Sequence, residues 1–144
     1  MIPLAPVADA LLKLVALALL VTVIGVMAFI RLAPSEPMRW HQMPETITDR
    51  DLEGGAMRRA EGDLATLDAI IRDTPRTRVL AGSVAQGMVT YVTRSRVFGF
   101  PDYTTVRQDG DMLEIYGRLR FGRSDLGVNA GRIDGWLGRL AEAR

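Results

Sequence analysis

Two pairs of arginines recur at strand spacing, Arg94 with Arg96 and Arg118 with Arg120, and Arg123-Ser124-Asp125 follows the second pair. Guanidinium groups grip carboxylates or phosphates through two parallel N–H donors. Tyr103 and Tyr116 add rings that could stack on a planar or sugar-like ligand, and Asp102 or Asp125 could serve as acid or base. Together these residues describe a surface for an anionic small molecule or a partner. Strand arginines on an uncovered sheet face are also often solvated or paired, here with Asp102, Glu114 or Asp125, and 17 Arg against one Lys is a bias that genome composition alone produces. More elaborate chemistry has little to draw on. The chain has no cysteine and one histidine, His41, which excludes a disulfide framework, a thiol nucleophile and Cys-bound zinc or iron–sulfur. Neither a cofactor nor a metal is expected. His41 has no second ligand or attachment motif beside it and reads as a solvated linker histidine. Gly-x-Gly and Walker-type loops are absent, so no phosphate cradle is expected.

These side chains need a sheet to carry them. Residues 77–83 and 88–98 are rich in Val, Thr, Tyr and Phe and are separated by Gly82 to Gly87, which predicts strands or a hairpin; 103–108 and 111–121 follow around Asp109-Gly110. A two-residue type I′ loop pairs Gln108 with Asp111, and so sets Val106 opposite Leu113 and Thr104 opposite Ile115. One face then carries Val106, Leu113, Ile115, Leu119 and Phe121 with Gly117 among them. The other carries Tyr103, Thr105, Arg107, Glu114, Tyr116, Arg118 and Arg120, with Tyr103 and Tyr116 paired. A sheet covered on one side only has this pattern.

Two helices are predicted to supply the cover. Leu64, Leu67, Ile70 and Ile71 recur at helical spacing within 61–73, with Asp63 near the positive end of the dipole, and Thr74-Pro75 stops the run. Ile133, Trp136, Leu137 and Leu140 do the same within 128–143, with Ser124, Asp125 and Asn129 as alternative caps. Gly131, Gly135 and Gly138 weaken that helix, and close packing on the sheet is the expected reason. The order helix, strands, helix predicts an α+β fold: a two-layer domain of antiparallel sheet with two helices on one face.

Ahead of this lies an uncharged run from Leu14 to Ile30, bracketed by Lys13 and Arg31, and it explains a mean hydropathy of +0.10 in a chain with 24% charged residues. At about 1.5 Å per residue, Leu11 to Leu32 reaches roughly 33 Å, enough to cross a bilayer once. A cleaved signal peptide competes, with Val26-Met27-Ala28 as its peptidase site, but that cut would strand Phe29-Ile30 and the run exceeds the usual apolar length. The expectation is therefore an uncleaved single-pass anchor, its bilayer contact through residues 14–30. A short N-terminal tail predicts a cytoplasmic N-terminus and a periplasmic C-terminal domain on a bacterial inner membrane, although Lys13 is weighed against Arg31 and Arg39. Pro34, Pro37 and Pro44 forbid a continuous helix beyond the span, and Trp40 is placed at the headgroup level. The expected organisation is tail and anchor 1–32, juxtamembrane linker 33–59 and α+β domain 60–144, the last expected to fold alone.

Phe100-Pro101-Asp102 and the stretch Arg120-Phe121-Gly122-Arg123-Ser124-Asp125-Leu126-Gly127-Val128-Asn129, with Arg132-Ile133 following, resemble the family known as domain of unknown function 1499. The resemblance spans roughly Leu64 to Leu140. It implies a small, often membrane-anchored protein of bacterial or plastid type, and no activity. Within it, Asp102, Ser124 and Asn129 form a structural turn and cap.

Two functions remain open. One is a non-enzymatic interaction or accessory module of a membrane complex or the envelope, with a membrane-protein partner. The other is an enzyme or binding protein for an anionic envelope small molecule, using Arg118, Arg120 and Arg123 with Asp102 or Asp125. Nucleic acid is not expected at a net charge of +1. That near-neutrality hides a division, because residues 36–73 carry five Arg against nine acids while 76–144 carry eleven Arg against seven.

Overall fold

A computed structural model describes residues 4–143. Two compact units meet in sequence at Ala33 and Pro34.

The first unit is helix α1, Leu4–Leu32, whose 29 residues make it long and apolar enough to cross a membrane. Its polar groups are satisfied locally. Thr22 donates to the Ala18 carbonyl at 2.8 Å, and Lys13 pairs with Asp9 one turn earlier at 2.7 Å.

The second unit is α+β. It contains α2 (Pro37–Trp40), β1 (Arg50–Leu52), β2 (Gly55–Glu61), α3 (Leu64–Arg72), β3 (Thr77–Ser83), β4 (Met88–Arg94), β5 (Pro101–Asp109), β6 (Met112–Leu119) and α4 (Val128–Glu142). The six strands form one antiparallel sheet in the order β1-β2-β6-β5-β4-β3. Helices α3 and α4 cover one face as expected, and Leu67, Ile71, Ile133 and Trp136 pack there on Val89, Val106, Leu113 and Ile115. Asp63 caps α3 by accepting from the Thr66 amide at 2.9 Å. The Tyr91 phenol crosses from β4 to donate to Asp68 on α3 at 2.6 Å.

Several expectations change. Residues 33–59, read as linker, contain β1 and most of β2, and β2 pairs with β6 along its whole length. Its alternation is masked because Arg58 lies on the helix-covered face, where it binds Asp134 of α4 at 2.7 Å and Asp51 at 2.7 Å. The β5–β6 loop is Gly110-Asp111, closed by Asp109 opposite Met112, and not Asp109-Gly110. Gly110 takes φ +59° while Asp111 keeps a negative φ, the sign pattern of a type II′ turn. Val106 therefore faces Ile115, Thr104 faces Gly117, and Tyr103 faces Arg118 instead of Tyr116. A slip of two residues keeps every side chain on its expected face, which is why the core survives the error.

Strand β4 ends at Arg94 and β6 at Leu119, so Arg96 and Arg120 lie in connections. Leu119 and Phe121 are only partly buried. Gly131, Gly135 and Gly138 face open space on α4, so close packing does not explain them. The close approach is on the sheet side, where a Cβ on Gly117 would stand 2.8 Å from the Ile133 Cδ1.

Candidate functional site

The second face of the sheet is covered, and this decides what the expected ligand surface can do. Residues 34–48 run across it as a strap. Trp40 is 8% exposed and stacks on Tyr103, itself fully buried, with ring centroids 3.9 Å apart and planes 13° apart. Ile47 is buried as well. The headgroup position expected for Trp40 is thus replaced by a place in a second small core with Val92, Tyr103 and Leu80. An indole buried there removes more apolar area from water than a headgroup position would.

The arginines and hydroxyls of this face turn to the strap. Arg118 donates to the Trp40 carbonyl, lies over the Tyr116 ring at 4.5 Å and over the Trp40 ring at 5.6 Å, and is pushed below its ordinary pKa by burial. Arg120 donates to the Pro34 carbonyl at 2.9 Å and to the Tyr103 hydroxyl at 3.2 Å, while Ser35 and Tyr103 share a hydrogen bond of 2.6 Å. His41 is no solvated linker residue. Its Nδ1 bonds Thr90 Oγ1 at 2.9 Å, and Thr90 meets Thr105 at 2.8 Å beneath it. Gly82 makes room, since with φ +79° its Cβ would stand 2.6 Å from His41 Cε1. Beyond the strap, Arg107 holds the buried Glu114 at 2.9 Å.

The remaining predicted residues are elsewhere. Asp102 alternates with Tyr103 and so points to the helix-covered face, where Arg132 approaches it at 3.3 Å. Burial pushes its carboxyl above the ordinary range, with Arg132 opposing that shift. Arg132 also donates to Asn129 Oδ1 at 2.9 Å, and Asn129, fully buried, donates to Asp125 Oδ2 at 2.8 Å. The N-cap position is Gly127 and none of the three expected residues, but the Asp125 carboxylate reaches the helix start from two residues earlier, accepting from the Gly127 amide at 3.0 Å and the Asn129 amide at 2.9 Å. Ser124 accepts from the Leu126 amide at 3.2 Å, and Asn129 sits inside the helix. Arg94 donates to the Gly99 carbonyl at 2.9 Å, and Arg96 and Arg123 are exposed in connecting loops.

The structure therefore brings together Tyr103 with Arg120 and Tyr116 with Arg118, and separates both pairs from Asp102 and Asp125 by the thickness of the sheet. Neither Asp102 nor Asp125 converges with Arg118 and Arg120. Two hollows flank this arrangement. One of about 280 Å³ is lined by Arg39, Gln42, Met43, Pro44, Tyr116 and Arg118. A wider one of about 650 Å³ opens at the far end of the sheet among Asp63, Val84, Gln108 and Asp111. Among the described residues, no three His, Asp or Glu side chains gather as a metal site. Sequence reasoning missed Ser35, Trp40 and His41, whose partners lie about 50 to 70 positions away and leave no local signal. Asn129 and Arg132 did carry one, since both lie in the stretch that includes Asp125.

A family model described as protein of unknown function, DUF1499, matches residues 30–140. No curated protein and no solved structure matches the chain.

Proposed function

Because the chain belongs to the DUF1499 family of proteins of unknown function, which brings no activity with it, we propose from the molecule's own geometry that it is a single-pass membrane protein whose α+β domain acts as a non-enzymatic interaction or accessory module. One observation carries this reading. The arginine face that could have gripped an anion is closed by the chain itself, with the Arg118 and Arg120 guanidinium groups spent on strap carbonyls. The carboxylates that could have served as acid or base lie across the sheet in a satisfied hydrogen-bonded ladder that fixes the start of α4.

In this reading α1 anchors the domain to a bacterial inner membrane, with the domain on the periplasmic side. The full chain then resists extraction by high salt or carbonate and yields to detergent, and carbonate release overturns the anchor. Mild-detergent purification of the tagged protein is expected to bring down a stoichiometric membrane protein. Recovery of the chain alone, with a bound anionic metabolite, would instead favour the alternative of an anionic-ligand protein. That alternative draws on the 280 Å³ hollow, where the exposed Arg39 stands near Tyr116.

A further inference from the structure

The β4–β5 and β6–α4 connections lie at the same end of the sheet, and their side chains differ sharply from those at the other end. The β4–β5 connection carries Val97 and Phe98, 67% and 50% exposed, and the β6–α4 connection carries Leu126, 91% exposed. Phe98, Phe100 and Phe121 join the two loops into one apolar rim, with centroids 5.7 Å and 6.3 Å apart. Leu126 adopts φ +51°, a left-handed conformation that disfavours leucine, and yet buries almost none of its side chain within the domain. Exposed Arg96 and Arg123 flank the rim; the Asp125 carboxylate is turned inward to the α4 amides, which leaves Glu53, on the adjoining β1–β2 turn, as an exposed acid beside the two arginines. The opposite end is acidic, with Glu61, Asp63, Asp109 and Asp111 around its turns.

Pro34 enters the domain at the basic, apolar end, since Arg120, three residues before Arg123, holds its carbonyl at 2.9 Å. Only Ala33 separates Pro34 from Leu32, the last residue of the apolar helix. At no more than about 3.6 Å per residue, that tether spans roughly 7 Å.

We propose that this rim rests on the lipid bilayer: Val97, Phe98 and Leu126 enter the interfacial layer, and Arg96 and Arg123 meet anionic headgroup phosphates. The inference rests on the anchor reading of α1. Given an anchored helix, the covalent tether holds the rim within reach of the headgroups, and the acidic end is repelled by the same surface. Apolar side chains flanked by arginine suit the boundary between acyl chains and headgroups, which takes both kinds of group at once.

The absence of cysteine makes the test direct. The full-length protein is reconstituted in vesicles of phosphatidylcholine with a minority of phosphatidylglycerol. Single spin labels are placed through Phe98→Cys, Leu126→Cys, Ala85→Cys at the acidic end, and Val21→Cys within α1. Collision rates with oxygen, enriched in lipid, and with a water-soluble nickel chelate are compared. Labels at 98 and 126 are expected to show an oxygen-to-nickel ratio several-fold above that at 85 and below that at 21. Pairing each label with Arg96→Glu and Arg123→Glu is expected to bring the ratio down toward that at 85. Ratios at 98 and 126 equal to that at 85, with 21 in lipid, overturn this inference and spare the anchor. Labels at 98 and 126 shielded from both reagents overturn it in favour of a protein partner. Exposure of the label at 21 to water overturns the anchor and this inference together.

Discussion

Replacing Trp40 with alanine separates a strap folded onto the sheet from a residue that serves only a membrane. A tryptophan buries about 200 Å², and at about 25 cal/mol/Å² its transfer is worth up to about 5 kcal/mol. Trp40 is 8% exposed, so nearly all of that area is withdrawn from water. Residual burial in the denatured chain reduces the figure by roughly 10–40%. Its stacking on Tyr103 at 3.9 Å adds about 1 kcal/mol, and the Arg118 contact with the strap carbonyl survives in part. The net expectation for Trp40→Ala is a loss of about 4–5 kcal/mol, at the upper end of the usual range for a buried tryptophan. Measured by circular dichroism on residues 34–144 without lipid, with a urea dependence of about 1.5 kcal/mol/M, the midpoint falls by about 3 M. Trp40→Phe keeps a stacked ring and loses markedly less. A headgroup residue would leave this lipid-free unit unchanged, so a shift below about 0.5 kcal/mol refutes the packing of the strap.

Gly82→Ala is expected to cost at least about 2 kcal/mol in the same assay, because its left-handed φ and a Cβ 2.1 Å from the Met88 carbonyl oxygen act together, whereas Gly87→Ala, at φ +74° in open space, costs only about 1 kcal/mol. Burial, and then the hydrogen bond to Asp68, hold the Tyr91 phenol above its ordinary pKa of 10.0. Above that pH the unfolded chain releases a proton that the native state keeps, so this contribution is full below pH 10 and is lost as pH rises beyond it. Urea midpoints taken across that range should therefore fall less steeply in Tyr91→Phe than in the parent. A chain starting at Pro34 is expected to unfold cooperatively, and one starting at Ala60 is expected to lose that cooperativity with the strap and most of β2; equal stability of the two would show that neither contributes.

The apolar helix, the two amphipathic helices and the alternation of β5 and β6 are local patterns, so they could be read before any folding was considered. Their burial follows from period alone, and the register error at Gly110-Asp111 was harmless for the same reason: a slip of two preserves the face. The candidate site was legible only as a list of residue types. Tyr103, Tyr116, Arg118 and Arg120 do share a face, as the alternation requires. That face was expected to be open because nothing near it in sequence could cover it. Its cover comes from Ser35, Trp40 and His41, whose proline-broken segment has neither a helical nor a strand period. What the sequence by itself determined is which segments are apolar on one side and which can cross a bilayer, since hydrophobic period is a property of neighbours. Only the tertiary structure decided whether the arginines bind a ligand or the chain itself, because a guanidinium takes whichever acceptor the fold places beside it, and here that acceptor is a strap carbonyl about eighty residues away.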